Sequence, residues 1–337
     1  MHNFWLPLHP DVIRPIGGVK QVHRLAEQLI QLGHKAFIVQ EDKNFRPNWF
    51  TSDVPTCSID KGRFYNRLDP AFNTVILPET FTPFLSWYAP RLPKIIFNQN
   101  FSYTFGVFPG KDNFPDDVSN VLDFYKHSSI KSIWLVSSHN LAAFRDCINV
   151  PSGVSLSRIV NSIETDLFSF GTRKKRQIAY MPRKNPRDCK IIKAILSRSP
   201  WFADWHFVPI DGMNQQQVAS VLMESVGFLA TGHPEGFGLP LAEAAACGNA
   251  LFGYTGLGGQ EIFDLARKYS LGHPSQLGDW SSVINSIKEF VTMTNFNSSS
   301  FGDRIHSLSS DVSSSYSQTR MRDSLKIALD SYFQSSP

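Results

Sequence analysis

Apolar positions along this chain fall into short runs separated by stretches of helical spacing. Asn3–Leu8 reads as a first strand, followed by the loop Pro15-Ile16-Gly17-Gly18. Val19, Val22, Leu25, Ala26, Leu29 and Ile30 then recur every three or four residues until Gly33, which predicts an amphipathic helix with a glycine stop. Ala36–Val39 is the next apolar run, and the β–glycine loop–α–β order is the phosphate-approach unit of doubly wound sheets. Gly17 and Gly18 are therefore candidates for close backbone approach to a phosphate. Further runs at Thr74–Leu77, Lys94–Asn98, Ile133–Val136 and Arg158–Val160 continue the rhythm.

The second half repeats it. Strands are predicted at Ile178–Tyr180, His206–Val208, Gly227–Leu229 and Ala250–Gly253, and helices at Cys189–Ser197, Gln215–Met223 and Gly259–Ala266. The cluster Arg173-Lys174-Lys175-Arg176 reads as a solvated linker, and serine-rich 294–315 as a flexible return. Thr319–Phe333 places Met321, Leu325, Ala328, Leu329 and Phe333 on one face of a last helix. At 337 residues the chain is long for one core. It suits two domains of roughly 150 residues each.

Composition removes several classes. Apolar content of 42% and charge of 18% describe a globular rather than a disordered chain. The four cysteines (Cys57, Cys147, Cys189, Cys247) are far apart, so a reducing cytosol fits better than a disulfide framework or zinc site. Ten histidines occur, but none pairs at a metal-ligand spacing. No run of about 18 apolar residues is present, so neither a signal peptide nor a spanning helix is expected. The net charge of +4 is split evenly between 1–165 and 166–337, which argues against a nucleic-acid partner. It leaves room for weak adhesion to an anionic membrane surface.

One segment says more than the rest. Residues 234–248 read Pro-Glu-Gly-Phe-Gly-Leu-Pro-Leu-Ala-Glu-Ala-Ala-Ala-Cys-Gly. Pro240 suits the first turn of a helix, the alanines propagate it, and Gly248 suits a left-handed stop. The bare N-terminus at Gly238–Leu239 is polarised to receive an anion, phosphate above all. Glu235 lies just before that end and Glu243 one turn inside it. A carboxylate touching phosphate is repelled, so both glutamates suit neutral hydroxyls, such as vicinal sugar diols. Phosphate flanked by two sets of hydroxyls describes a nucleotide sugar.

This segment resembles the Glu-x7-Glu motif of the retaining family 4 glycosyltransferases of the GT-B fold. Gly236, Phe237, Gly238, Leu239, Pro240 and Gly248 match as well as the two acids. A lone acid pair would be explained as well by a buried strand–turn–helix whose glutamates cap or pair. The element Asn161-Ser162-Ile163-Glu164-Thr165-Asp166-Leu167-Phe168 resembles the Asn-Gly-Val-Asp-x-x-x-Phe run that closes the first domain in that family. Gly256-Leu257-Gly258-Gly259-Gln260-Glu261 resembles its second glycine turn, which would let backbone approach the donor.

The resemblance implies an α/β chain of two doubly wound, Rossmann-like domains facing across a cleft. Residues 1–165 would form the acceptor side and 166–315 the donor side. The final helix, 316–337, would cross back to the first domain. It also implies a sugar nucleotide as substrate, no cofactor, and a retaining transfer in which the departing phosphate takes the acceptor proton. Glu235 would face the transferred sugar, and Glu243 the ribose.

Charge developing on a leaving diphosphate needs a metal or fixed cations. No Asp-x-Asp occurs, and Glu164-Thr165-Asp166 falls in the domain-closing element. Met181-Pro182-Arg183-Lys184-Asn185-Pro186-Arg187 supplies cations where the family carries its Arg and Lys. Arg183 and Lys184 are adjacent rather than spaced, so the second cation is Lys184 or Arg187. The family's acceptor-side histidine is missing; Phe97-Asn98-Gln99-Asn100 stands there, with Glu79 the nearest polar replacement and Gln99 and Asn100 as orienting amides. The aromatics Phe101, Tyr103, Phe105 and Phe108 are loop packing or an acceptor surface.

The expectation is a metal-independent glycosyltransferase moving a sugar to a glycan, a lipid-linked or a small-molecule acceptor. It would work in the cytoplasm or at the inner membrane face. The rival readings are a nucleotide-sugar epimerase or phosphorylase on the same architecture, and a non-catalytic nucleotide-sugar-binding protein.

Overall fold

A computed structural model describes residues 1–58, 64–105 and 118–335. It divides into two compact units: Met1–Ser162 with Gln318–Pro337, and Ile163–Ser317.

The first unit is built on a parallel sheet of seven strands: β1 (Asn3–Pro7), β2 (Lys35–Gln40), β3 (Thr56–Ser58), β4 (Asn73–Pro78), β5 (Lys94–Asn98), β6 (Ile130–Leu135) and β7 (Ser155–Arg158). Their order is β3-β2-β1-β4-β5-β6-β7. Connections run outwards in opposite directions from the neighbours β1 and β4, so a switch point lies between their C-terminal ends. Burial of Val75, Ile76 and Leu77, and of Ile95, Ile96 and Phe97, explains the unbroken apolar runs, because both faces of a parallel sheet are covered. The helices of this part are α1 (Gly17–Gln31), α2 (Val118–Phe124) and α3 (Ser138–Cys147).

The second unit has β8 (Lys175–Tyr180), β9 (His206–Pro209), β10 (Ser225–Ala230), β11 (Ala250–Tyr254) and β12 (Gly272–Ser275), all parallel, in the order β12-β11-β10-β8-β9. Here the switch point lies between β8 and β10. The helices are α4 (Pro186–Leu196), α5 (Gln215–Glu224), α6 (Leu239–Ala246), α7 (Gln260–Arg267), α8 (Trp280–Met293) and α9 (Ser299–Ser315). The last helix, α10 (Gln318–Ser335), returns to the first unit and packs on α1, β6 and β7. There the Ser324 hydroxyl accepts from the Val160 N–H at 3.0 Å, and Thr74 Oγ1 lies 2.6 Å from the Tyr332 hydroxyl.

Three sequence expectations are corrected. Residues 294–315 are not a flexible return, because α9 occupies most of them. Ser298 caps it by accepting from the Phe301 N–H at 3.2 Å, and Phe301, Ile305, Leu308 and Val312 form a buried stripe beneath an outer face of serines. The 173–176 cluster is solvated at Arg173, Lys175 and Arg176 but is not a linker throughout. Lys175 and Arg176 begin β8, and the Lys174 ammonium turns inwards to donate to the carbonyls of Cys247 at 2.6 Å and Leu222 at 3.4 Å and to Asn249 Oδ1 at 3.2 Å. Burial pushes its pKa down to about 7. A cation at the end of α6 complements the helix dipole and anchors the helix whose other end faces the site. The strand placed at Arg158–Val160 lies earlier, over Ser155–Arg158.

Candidate functional site

The strongest cluster lies at the switch point of the second unit, where the loops after β8, β10 and β11 meet. Alanines Ala242 and Ala244–Ala246 are completely buried, so α6 packs closely on the sheet. Gly238 starts it with φ of 86°, a left-handed geometry that favours glycine, and as the N-cap residue it offers no side-chain cap to the first N–H groups. Leu239 is the first residue of α6, and Pro240 follows in the first turn, where its missing N–H costs nothing.

Glu235 is held before that helix end by backbone pairing with the β11–α7 turn. Its N–H donates to the Gly256 carbonyl at 2.7 Å, and its own carbonyl accepts from the Gly258 N–H at 3.0 Å. The glycines of this turn serve the approach of two loops to each other. A Cβ on Gly258 would sit 2.0 Å from the Gly236 carbonyl oxygen, and one on Gly256 would sit 2.8 Å from the Glu235 side chain. Gly232 is less constrained, since a Cβ there would lie 2.4 Å from Glu235 Oε1, the end of a side chain that can turn aside. Phe237 is buried against Tyr316, with ring centroids 5.1 Å apart.

From the other side of the switch point the β8–α4 loop delivers Lys184. Its ammonium lies 2.5 Å from Glu235 Oε1, with the two side chains 34% and 20% exposed. The Lys184 main chain is fixed as well: its N–H donates to the Met181 carbonyl at 3.1 Å, and its carbonyl accepts from the Thr231 hydroxyl at 2.5 Å. Asn185, at φ of 50°, caps α4 and donates to Asp188 Oδ2 at 3.0 Å. Tyr254, at the end of β11, donates to the same oxygen at 2.7 Å, tying the first turn of α4 to that strand. A pocket opens here, lined in part by Met181, Lys184, Thr231, Glu235, Gly238 and Tyr254.

The other candidates fall around this core. Arg183 is exposed on the same loop. Arg187 stacks its guanidinium over Trp280 at 5.7 Å, whereas Lys184 is the cation that reaches Glu235. Glu243 lies inside α6 and is 7% exposed. Among the described residues no group of three or more histidine, cysteine or acidic side chains is placed to hold a metal ion.

In the first unit Gly17 and Gly18 open α1, with no side-chain cap at Ile16. A Cβ on Gly18 would lie 3.3 Å from the Gln99 amide, so these two candidates are neighbours. Glu79 follows β4 and is 4% exposed; its carboxylate accepts from the Gln99 N–H at 3.0 Å and the Asn100 N–H at 3.1 Å. Burial pushes its pKa up to about 7, against the pull of those donors. Its carboxylate clamps the turn after β5. Asn100 Oδ1 accepts from the Ser102 N–H at 3.0 Å. Phe101 packs on Phe105 and Phe144, so these two rings of the aromatic run serve loop packing; Phe108 lies outside the described residues.

Thr231, Tyr254 and Asp188 carry no motif and were not anticipated. Each acts through a contact between segments more than 20 residues apart, which local spacing does not reveal.

No protein-family model matches this chain, and no curated protein matches it. Solved structures do. Sucrose-phosphate synthase from Thermosynechococcus elongatus superposes over 100% of both chains at 11% identity and a TM-score of 0.72. A TarM mutant of S. aureus, in complex with fondaparinux, α-GlcNAc-glycerol and UDP, matches over 98% of this chain and 100% of that one, at 8% identity and a TM-score of 0.72. The pneumococcal O-GlcNAc transferase GtfA, in complex with UDP and GlcNAc, matches over 98% of this chain and 99% of that one, at 10% identity and a TM-score of 0.67. At such identities the likeness defines the fold. The chain is an α/β protein of the GT-B architecture, with two doubly wound parallel sheets.

Proposed function

We propose that this protein is a retaining glycosyltransferase that takes a sugar from a nucleotide-diphosphate donor held on its second unit. The observation that carries the reading is the meeting of Lys184 and Glu235 beside the uncapped start of α6, at a switch point where such sheets bind ligands. A cation and a helix N-terminus together match a diphosphate, and the two glutamates match hydroxyls on either side of it. Two solved structures of the same architecture are complexes with UDP, which supports a nucleotide as the common element.

In this reading Lys184, Arg183 and the N–H groups of Gly238 and Leu239 neutralise charge developing on the leaving diphosphate. Gly236 and Phe237 shape the loop that sets Glu235 against the transferred sugar, and Glu243 accepts from the ribose. The leaving phosphate takes the proton of the acceptor hydroxyl. The first unit receives the acceptor around Gln99 and Asn100, while Gly17 and Gly18 are kept as candidates for backbone approach to a phosphate. Glu79 contributes by holding that turn, since both its oxygens already accept from it. The acceptor class is a glycan, a lipid-linked sugar or a small molecule. Among the described residues no helix is long and apolar enough to cross a membrane.

Product analysis with a panel of nucleotide sugars and acceptors tests this. Transfer with retained anomeric configuration is expected, unchanged in EDTA because fixed cations take the place of a metal. Loss of activity in EDTA, restored by manganese or magnesium, overturns the metal-free mechanism. An epimerised nucleotide sugar formed without acceptor points to an epimerase on the same fold.

A further inference from the structure

The two groups assigned to different parts of the donor are bonded to each other. Lys184 Nζ, the cation assigned to the diphosphate, lies 2.5 Å from Glu235 Oε1, the acceptor assigned to the sugar hydroxyls. Both main chains are held by hydrogen bonds. Glu235 is zipped through its own N–H and carbonyl to Gly256 and Gly258, with glycines at 232 and 256 against its side chain. Lys184 is pinned through its N–H to Met181 and its carbonyl to Thr231. The lysine's four-carbon stem is flexible by its chemistry and can carry the ammonium from one acceptor to another.

We propose that the Lys184–Glu235 pair is a latch that the donor's diphosphate must open before the sugar is recognised. This rests on the reading of the second unit as a nucleotide-sugar site. A diphosphate offers more negative charge and more acceptor oxygens than one carboxylate, and the α6 N-terminus beside it adds further donors. It therefore draws Lys184 away from Glu235. The freed carboxylate then accepts from the sugar hydroxyls. A free monosaccharide carries only neutral hydroxyls and has nothing with which to displace the ammonium, so the latch rejects it. Because the coupling is reciprocal, sugar hydroxyls that occupy Glu235 also favour Lys184 on the phosphate. The device makes Glu235 a competitor of the diphosphate for Lys184 and, once released, a ligand of the sugar.

The consequence runs against intuition for a ligand-binding residue. Glu235→Gln removes the competing charge while keeping shape and hydrogen-bonding capacity. It should bind a bare nucleoside diphosphate more tightly than wild type, by about twofold to fivefold, the scale of releasing a cation from a partly exposed pair. It should at the same time lose most of the extra affinity that the sugar confers.

Calorimetric titration of UDP, GDP and ADP, and of their glucose conjugates, into wild type, Glu235→Gln, Lys184→Met and the double variant reads this out. Circular dichroism checks that each variant is folded. The expected result is tighter nucleoside diphosphate binding in Glu235→Gln, and a change of less than about twofold when the same substitution is made in Lys184→Met. If wild type binds a nucleoside diphosphate and Glu235→Gln binds it no better, the latch is wrong while the nucleotide reading stands. If the gain persists in the Lys184→Met background, the effect is plain repulsion by Glu235 and the latch is again wrong. If folded wild type binds none of the ligands, the site reading and the latch fall together.

Discussion

Lys184→Ala is expected to lower donor turnover by about 10²-fold or more, the scale of losing one transition-state charge contact in a preorganised site. Two losses add. The cation that meets the leaving phosphate is gone, and Glu235 is left with an uncompensated charge facing that phosphate. Arg183→Ala should also be severe, since Arg183 is the next cation on the loop. Arg187→Ala should be mild, because its guanidinium is stacked over Trp280 at 5.7 Å. Release of nucleoside diphosphate from the best donor measures all three. A wild-type rate in Lys184→Ala would reduce the loop to a solvated turn. A mild Lys184→Ala beside a severe Arg187→Ala would move the second cation to Arg187.

Gly258→Ala is expected to be the most damaging single-methyl change in the second unit's site. The added carbon would sit 2.0 Å from the Gly236 carbonyl oxygen and 2.7 Å from the Phe237 nitrogen. Both neighbours are main chain, so no side-chain rotation relieves the overlap. The β11–α7 turn and the Glu235 loop must separate, breaking the backbone pairing that fixes Glu235. A loss of about 3 kcal/mol in urea unfolding is expected, the upper range for overpacking, together with weakened donor binding. Gly302→Ala is the control: a Cβ there meets nothing within 4 Å inside α9, so it should stabilise by about 0.5–1 kcal/mol. Equal stability of Gly258→Ala and wild type would mean that the two turns are not packed as described.

Much of this was legible in the chain, and the reason is local. Parallel strands buried on both faces leave unbroken apolar runs, so β4, β5, β10 and β11 could be placed from sequence. The Pro-Ala-Gly punctuation around α6 likewise gave its start and stop. β12 (Gly272–Ser275) has no such run, and its residues are only half-buried at the sheet edge. The serines of α9 imitate a linker because they occupy its outer face, while the buried stripe repeats at intervals of three and four residues among them. Lys174 looked solvated because a charge cluster usually is; the carbonyls that receive it belong to residues some 50 and 70 positions later. In the site, Lys184 and Glu235 were each singled out on their own chemistry. Their bond to each other, 51 residues apart, required the switch-point geometry.

Calorimetry with wild type and Glu243→Gln against UDP, GDP and ADP decides whether residues 234–248 hold a nucleoside diphosphate, with Glu243 on its ribose. A single site for at least one of the three is predicted, weakened about tenfold in Glu243→Gln, where a charge-assisted hydrogen bond becomes a neutral one. A folded wild-type protein that binds none of them, or a folded Glu243→Gln that binds as well as wild type, would contradict it.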